Sequence, residues 1–151
     1  MSDVIVGVSA QEPGTVDLSN LTIGLNGSAD LLVGIEHTAP RVGSGRVAVL
    51  ATPVMINVIE AAALAAVEHL LPDGHQSLGI QLDIRHFAAT PVGMRIEARC
   101  ELVGIDGRTF LFQVEVHDEK EPIGGGAHKR VVVNVARFDQ RVQKKLNAES
   151  S

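Results

Sequence analysis

Beyond residue 78 the chain alternates apolar and polar positions with a period of two, which predicts strands that bury one face. The first of these segments places four residues on its inner face: Ile80, Leu82, Ile84 and His86. Two more segments, joined by a hairpin turn at Asp106-Gly107, have inner faces from Met94 to Leu102 and from Phe110 to Val116. A glycine run at residues 124–126 predicts another turn, and a fourth strand is expected from Val131 to Phe138.

One strong helix signal precedes these strands. Thr52-Pro53 pairs a residue that caps free N–H groups with a residue that needs no N–H in the first turn. The interior is rich in Ala and apolar nearly all round, which predicts a helix from Thr52 to Leu71 that is buried on most sides. A strand is also expected upstream, from Ala29 to His37. One long apolar helix with several one-sided antiparallel strands predicts an α+β fold, in which a curved sheet wraps a central helix.

Composition narrows the class of protein and of partner. The 151 residues suit one domain, and 45% of them are hydrophobic, which is enough for a core. The net charge of -5 and the absence of Trp and Tyr argue against a nucleic-acid partner, which needs a basic face or stacking platforms. The longest apolar run, Val54 to Val67, is too short to span a membrane. With a single cysteine and no basic start typical of a secretion signal, we expect a cytoplasmic protein without disulfides or a membrane partner.

Two polar residues interrupt the apolar surfaces that should meet in the core. His86 shares its strand face with apolar residues, and Glu60 lies within the apolar helix. Burying an unpaired imidazole or carboxylate is costly, and a His–Glu pair would satisfy both groups and could move protons near neutral pH. Pattern alone leaves three alternatives open: His86 as a hydrogen-bonded core residue, Glu60 on a solvated stripe with Asn57 and Glu68, and Thr52 as an ordinary helix cap.

The remaining chemistry-bearing residues give weaker signals. Four histidines lack the spacing of metal ligands, and no metal site is expected at them: His37, His69, His75 and His117. Cys100 alternates with core residues, which favours a buried, unreactive thiol. The run from Gly124 to Arg130 could offer backbone N–H groups and positive charge to a phosphate, although a hairpin turn explains its glycines equally well.

Three ordered sequence blocks add a specific resemblance. The first is residues 50–55, Leu-Ala-Thr-Pro-Val-Met, with Glu60 eight residues after the Thr. The second joins Ser-Leu-Gly at residues 77–79 to residues 83–93, and the third is residues 123–130, Ile-Gly-Gly-Gly-Ala-His-Lys-Arg. Together they resemble the hotdog-fold thioesterases of the fluoroacetyl-CoA thioesterase-like group. The resemblance predicts a domain at residues 29–138, between an N-terminal extension at residues 1–28 and a flexible tail at residues 139–151.

The resemblance implies a hotdog fold, in which a long helix is wrapped by an antiparallel sheet and two copies pair edge to edge as a homodimer. In that group a Thr at the helix start, a Glu within the helix and a His on the next strand are catalytic, and here these are Thr52, Glu60 and His86. Gly79 and Arg130 match positions in the group's ligand-binding region and are expected to contact acyl-CoA. No cofactor is implied.

The expected function is hydrolysis of a small or medium acyl-CoA by this Thr/Glu/His set. Two departures from the group, the absence of aromatic lid residues ahead of Thr52 and a Pro at position 53 in place of Gly, argue against fluoroacetyl selectivity. Two other functions compete: a non-catalytic acyl-thioester binder on the same scaffold, and an acyl-thioester hydratase or dehydratase. The latter usually needs an Asp or Asn close to its His in one loop, whereas Asp83 and His86 are expected on opposite faces of a strand.

Overall fold

The computed structural model of the protein describes residues 16–147. Its strands are β1 (Asn26–Leu32), β2 (His75–His86), β3 (Arg95–Asp106), β4 (Thr109–Asp118) and β5 (Pro122–Asn134). Its helices are α1 (Ala39–Val42), α2 (Thr52–Val67) and α3 (Val135–Lys144), with 3-10 turns at Ile35–His37 and Glu68–Leu70. The five strands form one antiparallel sheet in the order β1-β3-β4-β5-β2.

Helix α2 lies inside the curled sheet and packs chiefly against β1 and β3. Its buried side chains are small or aliphatic: Met55, Val58, Ile59, Ala62, Ala63, Ala66 and Val67. The inner faces of β3 and β4 meet them, and the completely buried Phe110 and Phe112 belong to this core. By length and composition alone Thr52–Leu70 could cross a membrane, but its buried face packs in the core. The predicted α+β fold, a curved antiparallel sheet around a central helix, is confirmed.

The glycine run at residues 124–126 is not a turn, as the sequence predicts, but lies inside β5, which pairs with β4 on one side and β2 on the other. A Cβ on Gly124 would lie 2.6 Å from the carbonyl oxygen of Arg85, and Gly126 has a φ of 146°. Side chains are therefore excluded where β5 passes β2. The candidate phosphate loop is a paired strand, and its backbone belongs to the sheet.

Several of the predicted ends of strands and helices are also wrong. β1 ends at Leu32, and the chain then forms the 3-10 turn at Ile35–His37. α2 ends at Val67, because the next three residues form the 3-10 turn at Glu68–Leu70. β5 ends at Asn134, whose side chain accepts the backbone N–H of Arg137 at 3.1 Å and so caps α3. The described fold therefore begins before residue 29, and α3 continues beyond residue 138.

Strand β2 lies at an edge of the sheet and departs from strict alternation. The register shifts by one residue at Ile80, so its predicted place on the inner face is wrong, whereas His86 pairs with Gly124 and keeps its inner position. Helix α2 covers little of this strand. Three of its apolar side chains are consequently exposed by 39–54%: Leu78, Ile80 and Leu82.

Candidate active site

The first residue of α2 and the last residue of β2 form a hydrogen-bonded pair. Thr52 Oγ1 lies 2.7 Å from His86 Nδ1. The residue in the N-cap position is Ala51, and no side chain caps the helix. Backbone hydrogen bonds of 2.9 Å from residues 50 and 51 to neighbouring loops fix the segment that leads into the helix. The Thr52 hydroxyl is thus directed to the imidazole and does not serve as an ordinary cap.

His86 has one satisfied ring nitrogen and one without a partner. Nε2 is buried and has no hydrogen-bond partner within residues 16–147. Burial lowers the pKa of His86 below its ordinary value of 6.5, and the nearby Ala88 backbone opposes part of this effect. The imidazole is therefore neutral at neutral pH, the form that can act as a base. A buried nitrogen without a partner is costly, so an arriving polar group that bonds it is favoured.

Glu60 lies two turns further along α2 and is directed toward β2 and β5. Its Oε2 atom is 3.3 Å from Arg130 Nη1, and its side chain is 35% exposed. Gly79 makes this position possible, because a Cβ at that residue would overlap Glu60 Oε2. The glycine that the resemblance places in the ligand-binding region thus keeps open the space that the carboxylate occupies.

Arg130 is 4% exposed, and every nitrogen of its guanidinium is engaged. Nε donates to Ser77 Oγ at 2.8 Å, Nη2 donates to the Ser77 carbonyl at 3.0 Å, and Nη1 reaches Glu60. Glu68 in turn accepts the backbone N–H of Ser77 at 2.8 Å and its hydroxyl at 2.6 Å. These side chains form a continuous network from Glu68 to Glu60. Arg130 reaches the site through Glu60, and its contact with acyl-CoA stays a prediction.

His128 supports the same network from the interior. Its Nδ1 lies 2.9 Å from the Gln81 carbonyl oxygen, to which it must donate, so Nε2 is the acceptor 3.2 Å from Arg130 Nη1. The ring stacks on Phe112 with centroids 6.2 Å apart. Burial lowers the pKa of His128, against the effect of the Gln81 carbonyl, and the charge of Arg130 lowers it further while Glu60 opposes it. His128 is a neutral residue that holds Arg130 in place.

Glu60 and the Thr52–His86 pair have separate partners within one copy of the chain. Eight residues of helix from Thr52 to Glu60 correspond to a rise of about 12 Å. The His–Glu pairing expected from the sequence is therefore wrong for a single copy. The solvated stripe is supported in part: Asn57 is exposed and Glu60 and Glu68 are partly exposed, although Glu68 lies in the 3-10 turn after α2 and binds Ser77.

A cavity of about 360 Å³ opens beside the Thr52–His86 pair. Its walls come from the loop ahead of α2, at residues 44–47 and 49–52, and from residues 86–89 after β2, with Ala39 between them. Apart from the pair, Ser44 and Arg46 are the polar residues of this lining. The volume and the apolar part of the walls suit a short acyl chain.

The other residues singled out from the sequence lie outside this cavity. Cys100 is buried, with Sγ 3.4 Å from the Ile59 carbonyl oxygen, and burial raises the pKa of the thiol to about 12. The predicted unreactive thiol is consistent with this setting. Within residues 16–147, no three histidine, cysteine or acidic side chains come together as metal ligands.

Comparison with known proteins identifies the family. Residues 33–136 match the family of fluoroacetyl-CoA-specific thioesterases. The chain is 35% identical over 100 residues to the fluoroacetyl-CoA thioesterase of Streptantibioticus cattleyicolor, a match that spans 66% of this chain and 72% of that protein. This chain belongs to the fluoroacetyl-CoA-specific thioesterase family.

Solved structures agree with this family assignment. The fluoroacetyl-CoA thioesterase FlK aligns with a TM-score of 0.78 at 29% identity, covering 83% of this chain and 97% of that one. A hot-dog-like protein from Thermanaerovibrio acidaminovorans aligns with a TM-score of 0.77 at 18% identity, covering 84% and 94%, and supports the fold alone. The hotdog fold implied by the resemblance is confirmed for this family member.

The role of Arg130 as the partner of Glu60, and the support that His128 and Ser77 give it, were not predicted from the sequence. A signal exists in β5, where His128 and Arg130 alternate with Lys129 and Val131 and so share the inner face. An inward arginine needs an anion, and the acid in the apolar helix is the natural candidate. The alternation of inner and outer positions along β5 could not be recognised, because the glycine run at residues 124–126 predicts a turn at this place.

Proposed function

We propose that this protein hydrolyses a small or medium acyl-CoA thioester to the free acid and CoA, with Thr52, Glu60 and His86 as its catalytic set. Its family and its 35% identical relative identify the reaction as hydrolysis of an acyl-CoA thioester. One observation supports the residue assignment above all. The Thr52–His86 hydrogen bond leaves a buried nitrogen without a partner, on a residue that lines a cavity of acyl size.

In the proposed mechanism Glu60 either activates the attacking water or is itself the nucleophile. Its carboxylate either removes a proton from water, which adds to the thioester carbonyl, or adds to that carbonyl itself and is released by water afterwards. Collapse of the adduct breaks the carbon–sulfur bond, and the CoA sulfur takes up a proton. His86 transfers protons to and from the reacting group, and Thr52 orients it. The positive end of the α2 dipole stabilises charge on the carbonyl oxygen.

The proposal includes a homodimer, because this set is not assembled within one copy. Glu60 lies over Gly79, in the middle of β2, whereas His86 ends the same strand. In the proposed dimer β2 pairs antiparallel with β2 of a second copy, in the register that places Gly79 of one strand beside His86 of the other. Glu60 of each copy then approaches the Thr52–His86 pair of its partner.

The character of β2 supports such a pairing. Its outer edge has no neighbouring strand within residues 16–147, and unpaired edges are normally covered in stable proteins. The exposed apolar side chains of this strand, at Leu78, Ile80 and Leu82, would be covered by the same contact. Two-fold pairing of one surface with itself is the commonest way in which soluble chains form dimers.

Release of CoA, followed with a thiol reagent, tests the function. We expect the unmodified protein to release CoA from saturated acyl-CoAs. Glu60→Gln and His86→Gln should each lower kcat by about 10²-fold to 10³-fold, because each removes a group that acts in the transition state. Full activity in either variant, when circular dichroism shows that it is folded, contradicts the assignment.

The same assay separates the competing functions. Tight binding of acyl-CoA without CoA release favours a non-catalytic binder, and addition of water to an enoyl-CoA without CoA release favours a hydratase. The structure disfavours the hydratase, because Asp83 is exposed and alternates with His86 across the two faces of β2.

A further inference from the structure

Arg46 lies in the wall of the cavity beside the Thr52–His86 pair. No carboxylate lines this cavity, and within residues 16–147 Arg46 makes no ion pair or side-chain hydrogen bond. Apart from Ser44, Thr52 and His86, the other residues of this lining are apolar. Arg46 is exposed, and an arginine that lines such a cavity without an anion from the protein is suited to bind an anion of the ligand.

The loop that carries Arg46 is closed by its own backbone hydrogen bonds. The amides of Gly43 and Ser44 donate to the Ala39 carbonyl at 2.9 and 3.0 Å, and the Ala39 amide donates to the Val49 carbonyl at 3.0 Å. Gly43 has a φ of 86°, which suits the tight turn that starts the loop. These bonds hold Arg46 near the tip of a short loop that faces the cavity.

We propose that Arg46 binds a carboxylate at the far end of the acyl group, so that the preferred substrates are CoA thioesters of dicarboxylic acids. The proposal rests on the proposed thioesterase function and names its substrate class. With the thioester carbonyl beside Thr52 and His86, a short acyl chain would extend into the cavity that Arg46 also lines. Arginine and carboxylate form two parallel hydrogen bonds, which favours this ligand over an uncharged chain of equal length.

The phosphates of CoA are the other anions that a guanidinium could bind. The whole pantetheine arm separates them from the thioester, whereas Arg46 lines the same cavity as the Thr52–His86 pair. The acyl carboxylate is therefore the anion that the position of Arg46 favours.

The test compares kcat/KM for succinyl-CoA and butyryl-CoA, whose acyl chains have the same length and differ in the terminal carboxylate. We expect the unmodified protein to prefer succinyl-CoA. Arg46→Gln should lower the ratio of the two values by about 10-fold to 100-fold, because it removes a charged hydrogen-bond donor. Arg41→Gln is the matched control, since Arg41 is exposed on α1 outside the cavity lining and should leave the ratio unchanged.

Two results would overturn the proposal, and a third would contradict the thioesterase function on which it rests. An unchanged ratio in Arg46→Gln overturns the proposal. An equal loss for both CoA thioesters that disappears with N-acetylcysteamine thioesters, which lack phosphates, assigns Arg46 to CoA and also overturns it. Absence of CoA release from every acyl-CoA contradicts the proposed function, and the ratio of the two dissociation constants, measured by calorimetry, then decides the role of Arg46.

Discussion

The two parts of the proposed catalytic set are held in opposite ways. The Thr52–His86 pair rests on one side-chain hydrogen bond of 2.7 Å at the rim of a cavity, with one imidazole nitrogen left without a partner. Glu60 instead contacts the buried Arg130, whose other bonds lead into the protein interior. Buried polar groups therefore hold the Glu60 carboxylate in place, whereas His86 Nε2 is left without a partner and can bond a ligand. Changes in the network should reduce both stability and activity, whereas changes in the pair should reduce activity alone.

Arg130→Met should have the largest effect. It removes the partner of Glu60 and leaves the Ser77–Glu68 pair facing an apolar side chain, so we expect a loss of about 3 kcal/mol in the free energy of unfolding. Urea unfolding measures this quantity. Arg95→Met is the control, because both side chains of the Arg95–Asp30 ion pair are more than half exposed, at 53% and 56%. That change should cost less than about 1 kcal/mol. Equal losses in the two variants contradict a structural role of the network.

His86→Gln should separate activity from stability. The variant keeps a polar side chain at the end of β2 but loses the imidazole, so kcat should fall by about 10²-fold or more. Its urea midpoint should match that of the unmodified protein. His117→Gln, in which a half-exposed imidazole on β4 is replaced, should change neither quantity. A large loss of stability in His86→Gln would place His86 among the structural residues.

Gly79→Ala tests the space above β2. The added Cβ would overlap the end of the flexible Glu60 side chain, which can move aside, and would lie 3.1 Å from His128 Cε1, so the carboxylate should move while the fold survives with some loss of stability. We expect kcat to fall by about 10-fold to 100-fold, as for a misplaced catalytic group. Gly104→Ala is the matched control, because its Cβ would make an ordinary 3.5 Å contact with Leu111. Unchanged kcat in Gly79→Ala argues against the observed carboxylate position as the active one.

The pH dependence should show the lowered pKa of His86. Burial holds the imidazole neutral below its ordinary pKa of 6.5, so kcat/KM should fall only at pH values below 6.5 as the base becomes protonated. The pKa of His128 is lowered in the same direction, so the unfolded chain binds more protons than the folded one in this range. The contribution of both residues to the free energy of unfolding is complete above about pH 6.5 and is lost as the pH falls.

The two predictions are checked separately, by the pH profile of kcat/KM and by urea unfolding at several pH values. A midpoint of the kcat/KM profile above pH 6.5 contradicts a neutral His86.

Cys100 should give the smallest effect. With its pKa raised to about 12 and its side chain buried, the thiol should not react with a thiol reagent in the folded protein. One equivalent should react after denaturation, as expected for the single cysteine of the chain. Rapid labelling of the folded protein would show that the core around Cys100 opens.

Much of the fold is predictable because local patterns and tertiary packing agree. The inner positions of β3 and β4 follow strict alternation, and the apolar α2 requires burial on most sides. The predictions of secondary structure are wrong where close contacts between backbone segments determine the conformation. Glycine at residues 124–126 is typical of a turn, yet it lies within β5 because two strands pass close on either side, and the bulge at Ile80 has no sequence signal.

The residues of the proposed site can be named from the sequence, but their arrangement cannot. Thr52 and His86 follow from their places at the start of α2 and the end of β2, and the structure joins them. Parity placed Glu60 and His86 toward the same core, but it cannot give the distance between a carboxylate on α2 and an imidazole at the end of β2. The buried Arg130 is the partner that Glu60 has within the chain.

The central claim is that Glu60 of one copy acts with the Thr52–His86 pair of another, and complementation tests it most directly. Glu60→Gln and His86→Gln variants, each inactive alone, are unfolded together and refolded as a mixture. Random pairing makes half of the dimers hybrid with one intact site each, so about a quarter of the unmodified activity should return. If no activity returns while native mass spectrometry shows that hybrid dimers have formed, the claim is contradicted.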